Sequence, residues 1–237
     1  WHEPPVYTEQ RSPHKPVVLG PLTLVNWERS TPTPGTLLHT MLFWQLTALL
    51  DTPIHTSLQL VRADGVRISQ ADGAPTDGLV ATDDQPTVAL PDYKVITLPA
   101  DLAPGRYRLE VVAYAVATGS PLADPVAIDW FTIGATPAPP TTVTDLQWQT
   151  GLRLVGHDDL PATLAPQASF VVRLVWSTAA ALADDYTAFV HLVGPDGAIV
   201  AQNDRPPLAG FYPTSGWALD DPVDDLYALT LPETLPP

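Results

Sequence analysis

Hydrophobic and polar residues alternate with a period of two along many short segments of this chain. In the clearest segment, Phe170, Val172, Leu174 and Trp176 fall on one face and the intervening residues on the other. Twenty-eight prolines and 14 glycines separate such segments, and no segment combines a cap, a 3.6-residue period and freedom from proline. This pattern predicts an all-β protein built from short strands and frequent turns.

The alternating segments recur as an internal repeat. Residues 60–65 match residues 192–197, and at the same offset Trp44 falls on Trp176. Both segments end in Asp-Gly, which supplies the positive φ angles of a tight hairpin turn. We therefore predict two modules with one strand order, each with a hairpin at this point. The two tryptophans should occupy equivalent core positions, because both lie on the most apolar face of a strand.

The repeat and the proline pattern together predict four regions. These are an extended N-terminal arm (1–16), β-sandwich module 1 (17–134), a Pro/Thr linker (135–142) and β-sandwich module 2 (143–237). About seven short strands with alternating faces favour an immunoglobulin-like or jelly-roll type of sandwich. The sequence leaves open whether the sheets form a sandwich or a closed barrel.

Module 2 is predicted to be incomplete. After the strand predicted at 94–98, module 1 continues with predicted strands at 106–114 and 127–133, whereas module 2 has a counterpart only of the first, at 226–231. Loss of the last two strands would expose an apolar groove and unpaired backbone, which is a template for strand addition. We expect downstream residues or a neighbouring chain to complete the module; the third option is an arm such as residues 17–25 folding back.

Composition excludes several classes of function. A net charge of −15 repels phosphate backbones, so nucleic acid is not an expected partner. The absence of cysteine excludes disulfides, thiol nucleophiles and thiolate metal sites. The longest apolar stretch, residues 37–50, contains polar residues and is too short to span a bilayer. The chain begins with Trp1 and shows no signal peptide, so we expect a processed product or an excised region.

The candidate binding site is the loop 211–217 with the two aspartates that follow it. Phe211, Tyr212 and Trp217 could form a stacking platform for a sugar, with Asp220 and Asp221 as a polar rim. The favoured alternative is that this loop folds over an open end of the sandwich and its aromatic rings fill the core. Trp148 is expected to begin the first strand of module 2 and to be packed.

Other chemistries have weaker support in the sequence. Aspartate pairs at 83–84, 158–159, 184–185, 220–221 and 224–225 could hold calcium, but they follow no known loop pattern and are better explained as solvated turn residues. His39 and His191 alternate with core positions and should point outward. No catalytic residue, metal or cofactor is predicted. A carboxylate pair for glycoside hydrolysis would be revealed only by its spatial separation.

Several segments of module 2 resemble a known bacterial module. They are residues 152–158, 174–176, 185–192, 195–197 and 212–217. They are similar to β-sandwich modules in the extracytoplasmic C-terminal regions of multi-spanning membrane glycosyltransferases of the dolichyl-phosphate-mannose mannosyltransferase-like class, and of related uncharacterised surface proteins. Such modules continue from a Leu-Pro segment into Pro-Gly-x-Tyr-x-Leu, which module 1 has at residues 104–109. The resemblance covers most of 152–237 and, less closely, 22–133.

The resemblance implies an extracytoplasmic location but carries over no catalytic residue, because the membrane-embedded catalytic part is absent here. The expected function is a non-catalytic accessory or assembly region of a bacterial cell-surface or membrane-associated protein, attached through a region outside this chain. A protein partner or neighbouring subunit would bind by strand addition at module 2. The alternatives are a carbohydrate-binding module that uses the 211–217 loop and a small glycoside hydrolase.

Overall fold

The computed structural model describes residues 15–47, 52–75, 89–134 and 136–234. The chain is all-β, as predicted, and its sheets are antiparallel. It divides into two units, Trp1–Ala135 (unit 1) and Thr136–Pro237 (unit 2). The strands are β1 (Val17–Leu19), β2 (Leu22–Arg29), β3 (Leu37–Leu46), β4 (Ile54–Arg62), β5 (Arg67–Gly73), β6 (Leu90–Thr97), β7 (Gly105–Ala115), β8 (Val126–Ile133), β9 (Thr142–Gln147), β10 (Leu152–His157), β11 (Ser169–Thr178), β12 (Ala188–Val193), β13 (Ile199–Arg205) and β14 (Val223–Thr230).

Unit 1 consists of two four-stranded sheets, ordered β1-β2-β3-β6 and β5-β4-β7-β8. Period-two alternation gives each sheet one apolar face, and the two faces share a single core. The first sheet contributes Leu24 and Trp44, and the second contributes Leu60 and Leu109, all fully buried. The described part of unit 1 therefore has eight strands where about seven were predicted, and the segment at Val17–Leu19 pairs with β2 as a strand of its own.

Unit 2 has one four-stranded sheet, β9-β10-β11-β14, and a two-stranded sheet, β12-β13. One buried cluster of this unit consists of Val172, Tyr227 and Leu229, with partly buried neighbours such as Val190. β9 begins at Thr142, the last residue of the predicted linker. Gly156 permits β9 to approach β10 closely, because a Cβ atom there would lie 2.1 Å from the carbonyl oxygen of Thr142.

The two units pair their corresponding strands in the same register. Leu24 lies opposite Trp44 in unit 1, and Leu154 lies opposite Trp176 in unit 2. Both pairings have an irregularity immediately after that leucine. The hairpins correspond too, with the irregularity after Leu60 in one and after Leu192 in the other. Trp44 and Trp176 are 0% and 8% exposed, so the prediction that both belong to cores is confirmed.

The expectation for Trp148 is wrong. Trp148 does not begin a strand, because it follows β9 in the turn before β10, and its side chain is 46% exposed. Residues 17–25, named only as the third option for completing module 2, form β1 and the first part of β2 and pair within unit 1. The predicted arm, residues 1–16, lies almost entirely outside the described residues. Residues 79–84 lie entirely outside them.

Each unit has a buried aspartate at the same register position, but the cation that pairs with this aspartate lies on a different strand in each unit. In unit 1, Asp92 Oδ2 accepts hydrogen bonds from Trp44 Nε1 (3.1 Å) and Thr56 Oγ1 (2.9 Å), and Lys94 Nζ lies 3.3 Å from Oδ1. In unit 2, the corresponding Asp225 accepts a hydrogen bond from Arg205 Nη2 (2.8 Å).

The residues around these two aspartates differ in a coordinated way. Tyr227 stands where unit 1 has Lys94, and Arg205 stands where unit 1 has Gly73. The guanidinium of Arg205 lies over the Tyr227 ring, 4.1 Å from its centroid. The pairing cation thus lies on the same strand as the aspartate in unit 1, and on the neighbouring hairpin in unit 2. A buried carboxylate requires such a partner, because removal of one partner leaves an uncompensated charge.

We expect Asp92→Ala to lower the free energy of unfolding of unit 1 by about 3–5 kcal/mol, because the Lys94 ammonium would remain buried without its partner. Native-state hydrogen exchange of the β3 and β4 amides measures this value. Arg62→Ala is the control, since it removes only the exposed ion pair with Asp64 and should leave the value close to that of the parent chain. Equal effects of the two substitutions would contradict a structural role for the buried pair.

Unit 2 should lose stability at alkaline pH through Tyr227. Burial, and then the neighbouring Asp225 carboxylate, raise the pKa of Tyr227 above its ordinary value of 10.0. Above about pH 10 the unfolded chain releases this proton while the folded unit keeps it, so the free energy of unfolding falls as pH rises; below pH 10 the contribution is fully present. Tyr227→Phe should make the decline between about pH 10 and 12 shallower in hydrogen-exchange measurements of β11 and β14. An unchanged slope would exclude Tyr227 as its source.

Candidate functional site

The strand β12 has one hydrogen-bonded edge and one open edge. It pairs with β13, and the described residues contain no strand on its other side. The Gly194 N–H donates to the Ala198 carbonyl, on the β13 side (2.8 Å). Peptide groups alternate in direction along a strand. The N–H groups of Phe189, His191 and Val193 therefore face the open edge.

Unit 1 shows what covers the same edge when the sheet is complete. There β4 pairs with β7 along its whole length, and Leu60 lies opposite Leu109. Leu58 and Leu60 of β4 are fully buried, whereas the corresponding Val190 and Leu192 of β12 are only partly buried. Leu154 of β10 is likewise half-buried where Leu24 is fully buried. The open edge thus leaves part of the apolar face of unit 2 in contact with solvent.

A groove of about 700 Å³ lies beside this edge. One wall comes from the four-stranded sheet and its turns, the other from the segment that leads into β12, and the end from the 207–217 region. The lining side chains are mostly apolar and include Leu146, Trp148, Leu152, Leu154, Leu174, Trp176, Ala188, Phe189 and Trp217. In unit 1 the positions that correspond to Leu152, Leu154, Leu174 and Trp176 pack in one cluster with Tyr107 and Leu109 of β7.

The predicted sugar-binding aromatics are buried. Phe211, Tyr212 and Trp217 are 7%, 1% and 5% exposed. Trp217 Nε1 donates to the Tyr212 carbonyl (3.0 Å), and the Tyr212 hydroxyl accepts a hydrogen bond from the Ala218 N–H (2.7 Å). The indole and phenol rings lie 6.1 Å apart at an angle of 39°. This burial fits the packing alternative, since the three ring faces do not form an open platform; ligand binding by the loop stays a prediction.

Backbone contacts attach the loop to the segment that leads into β12. The Thr214 hydroxyl accepts from the Tyr186 N–H (2.8 Å) and donates to the Asp184 carbonyl (3.0 Å). One short 3-10 turn, Pro207–Gly210, precedes the loop, and another, Thr214–Gly216, lies within it. Because Thr214 and Trp217 also line the groove, the loop closes one end of it.

The first aspartate of the candidate site lies beside the end of β11. Asp220 is exposed at a positive φ of 56°, and its N–H donates to the Thr178 carbonyl (2.8 Å). Asp221 is half-buried in the next position. The structure therefore brings Tyr212 and Trp217 together, buries Phe211 in the same loop and places Asp220 at the end of β11.

Several of the other acidic residues that are described are engaged in contacts within the chain. Asp158 and Asp224 both pair with Arg173, and Asp159 accepts from the Thr141 hydroxyl. The buried carboxylates Asp92, Glu110, Asp129 and Asp225 pair with Lys94, Arg108, Arg29 and Arg205 respectively. Within the described ranges no group of three or more His, Asp or Glu side chains could hold a metal ion. Asp83 and Asp84 lie outside those ranges.

The two histidines expected to point outward have different surroundings. His191 is exposed, and its Nε2 lies 2.9 Å from Asp204 Oδ1 across the hairpin. His39 is partly buried and contacts the Tyr93 hydroxyl. Each histidine is held by a neighbouring strand of its own sheet.

No protein-family model matches this chain, and no curated protein matches it in sequence. The resemblance to glycosyltransferase-associated modules therefore stays a prediction. Among the described residues, no helix has the length and apolar character needed to cross a membrane.

Sequence reasoning missed Trp148 as a residue of the groove. Its indole lies 6.2 Å from that of Trp176, at an angle of 36°. A signal was available, because Trp148 precedes Gln149, Thr150 and Gly151, a polar run ending in glycine that is typical of a turn. A tryptophan in such a turn contacts the end of the sheet and keeps part of its surface in solvent.

Trp217→Ala should lower the free energy of unfolding of unit 2 by about 3–5 kcal/mol, because it removes a buried indole. Trp148→Ala is the matched control, since it removes the same side chain from a half-exposed position and should cost less than half as much. Denaturant titration followed by hydrogen exchange of β11 measures both values. If Trp217→Ala instead abolishes retention on a glycan column and leaves stability unchanged, the loop is a sugar platform.

Proposed function

We propose that this chain is a non-catalytic, extracytoplasmic accessory or assembly region of a bacterial cell-surface or membrane-associated protein, and that it binds another polypeptide by strand addition at unit 2. The observation that carries the proposal is the open edge of β12 beside an apolar groove. Main-chain hydrogen bonds along such an edge provide affinity, and pockets for alternate side chains provide specificity.

The sequence of β12 supports this use of its edge. Proteins commonly protect exposed edges with proline, lysine, inward-pointing charges or very short strands. β12 has six residues, Ala-Phe-Val-His-Leu-Val, and contains none of these protective features. Phe189 is 69% exposed on this strand. An unprotected apolar edge of this kind promotes association with another chain.

The shared registers support a pair of tandem sandwich modules related by an internal repeat. Four strands of unit 2 follow the order of the first sheet in unit 1, and β12-β13 follows β4-β5. The counterparts of β7 and β8 are lacking in the described part of unit 2. The two strands that unit 2 lacks are thus those that complete the second sheet of unit 1.

The pairing of acidic side chains supports a non-catalytic role. The buried carboxylates each contact a cationic side chain of the same unit, so each already has a structural partner within the fold. Extracytoplasmic location is supported by the resemblance of residues 152–237 to extracytoplasmic modules and by the strongly acidic composition.

Edge-dependent association tests the proposal. In multi-angle light scattering, the mass of the parent chain should rise with protein concentration. His191→Pro should reduce this rise, because it removes an N–H from the open edge and leaves the pairing with β13 intact. His191→Ala is the matched control, since it loses the same imidazole and keeps the N–H, and it should associate like the parent.

Phe189→Pro and Phe189→Ala repeat this comparison at a second outward N–H. The far-ultraviolet circular dichroism of each proline variant must match that of its alanine control for the comparison to count. A parent chain that keeps the mass of one molecule over the whole concentration range would overturn the proposal. Proline variants that associate as strongly as their alanine controls would do the same.

A further inference from the structure

We propose that the occupant of the groove in unit 2 is an extended strand of another polypeptide that runs antiparallel to β12 and carries a large aromatic residue followed by aliphatic residues at every second position. This inference rests on the proposed function and adds the chemistry, direction and register of the partner. It derives from the strand that fills the corresponding position in unit 1.

The first step is the occupant of the equivalent edge. In unit 1, β7 runs antiparallel to β4, with Leu109 opposite Leu60 and Val111 opposite Leu58. Its inward side chains Tyr107, Leu109, Val111 and Ala113 are all fully buried. An occupant of unit 2 in the same register places its second inward residue opposite Leu192 and its third opposite Val190.

The second step is the shape of the groove. The walls of the groove contain Leu152, Leu154, Leu174 and Trp176, which correspond to the unit 1 residues Leu22, Leu24, Leu42 and Trp44. In unit 1 those four residues are fully buried together with the inward face of β7. A volume of about 700 Å³ also falls within the range of small-molecule pockets. The open N–H groups of β12 favour a polypeptide over a small molecule, because a small apolar ligand would leave these groups unpaired.

The third step is charge. Unit 2 has three arginines and no lysine against 12 carboxylate side chains, a net charge of −9. Such a surface favours the approach of a basic segment. In β7 the residues on either side of Tyr107 are Arg106 and Arg108. A partner strand that alternates apolar inward residues with basic outward residues therefore fits both the groove and the field around it.

A peptide with the sequence of residues 104–115 of this chain, Pro-Gly-Arg-Tyr-Arg-Leu-Glu-Val-Val-Ala-Tyr-Ala, is the probe. Labelled at its N-terminus, it should bind the full chain saturably in fluorescence anisotropy titrations. Binding should weaken at least tenfold in His191→Pro and remain unchanged in His191→Ala. A control peptide in which Tyr107, Leu109 and Val111 are serine should bind at least tenfold more weakly than the parent peptide.

Disulfide trapping tests the register, and the absence of cysteine from the chain makes each crosslink unambiguous. Val190 corresponds to Leu58, whose N–H points away from β7. The predicted pair is therefore a non-hydrogen-bonded one, in which Cα atoms lie about 4.5 Å apart, within the range that a disulfide bridges. With oxidised glutathione, Val190→Cys should crosslink to the peptide carrying Val111→Cys. Leu192→Cys should crosslink instead to the peptide carrying Leu109→Cys.

Several outcomes would overturn the inference. They are failure of the peptide to bind, equal binding of the serine control, equal binding to His191→Pro, and crosslinks in the exchanged combinations. Parent chains that stay associated at saturating peptide would show that a second copy occupies the groove. If association remains edge-dependent while the peptide fails, the proposed function stands and only the partner chemistry is wrong. If association is also absent, both fail.

Discussion

A sheet with one apolar face is stable in water only when a second layer covers that face, and this constraint governs both units. Burial of apolar surface contributes roughly 25 cal/mol for each Å² removed from water. In unit 1 the second layer has four strands, and Leu22, Leu24, Leu42 and Trp44 of the first sheet are fully buried. In unit 2 the second layer has two strands, and the residues at several matching positions are only partly buried. The exposed groove follows directly from that difference.

Unit 2 is nevertheless a distinct structure with adaptations of its own. The buried aspartate keeps its register position, but the cation that neutralises it comes from β13 and stacks on a tyrosine. The loop 211–217 buries three aromatic rings at one end of the groove. These features stabilise the part of the core that the two-stranded sheet can cover. They do not cover the β12 edge or the apolar wall of the groove that faces it.

The functional proposal depends on the same constraint. Apolar side chains and unpaired peptide groups lie next to each other at β12, and a strand is the ligand that satisfies both at once. This arrangement fits a sugar or a metal ion less well than it fits a strand. The aromatic rings nominated for sugar stacking are packed inward, and the described acidic clusters pair with nearby arginines, hydroxyls or backbone groups. The proposed function therefore rests on backbone pairing rather than on a constellation of reactive side chains.

The sequence by itself determined the strands, the hairpins and the two central tryptophans, because these depend on local rules. Period-two alternation specifies which side chains share a face, and Asp-Gly specifies where a hairpin turns. The repeat also led to the prediction that module 2 has no counterpart of residues 105–133 within this sequence. These inferences needed only neighbours in sequence or a constant offset.

Tertiary structure alone decided which aromatic residues are available to a ligand. Trp148 and Trp217 both lie in turns, yet the first is half-exposed and the second is buried. The difference arises because Thr214 bonds to backbone groups at Asp184 and Tyr186, about 30 residues earlier in the chain and thereby fixes the loop against the segment that precedes β12. The direction of the free N–H groups of β12 was likewise fixed only when that strand paired with β13. Contacts between residues distant in sequence carry no local pattern, so the sequence could nominate these residues but could not orient them.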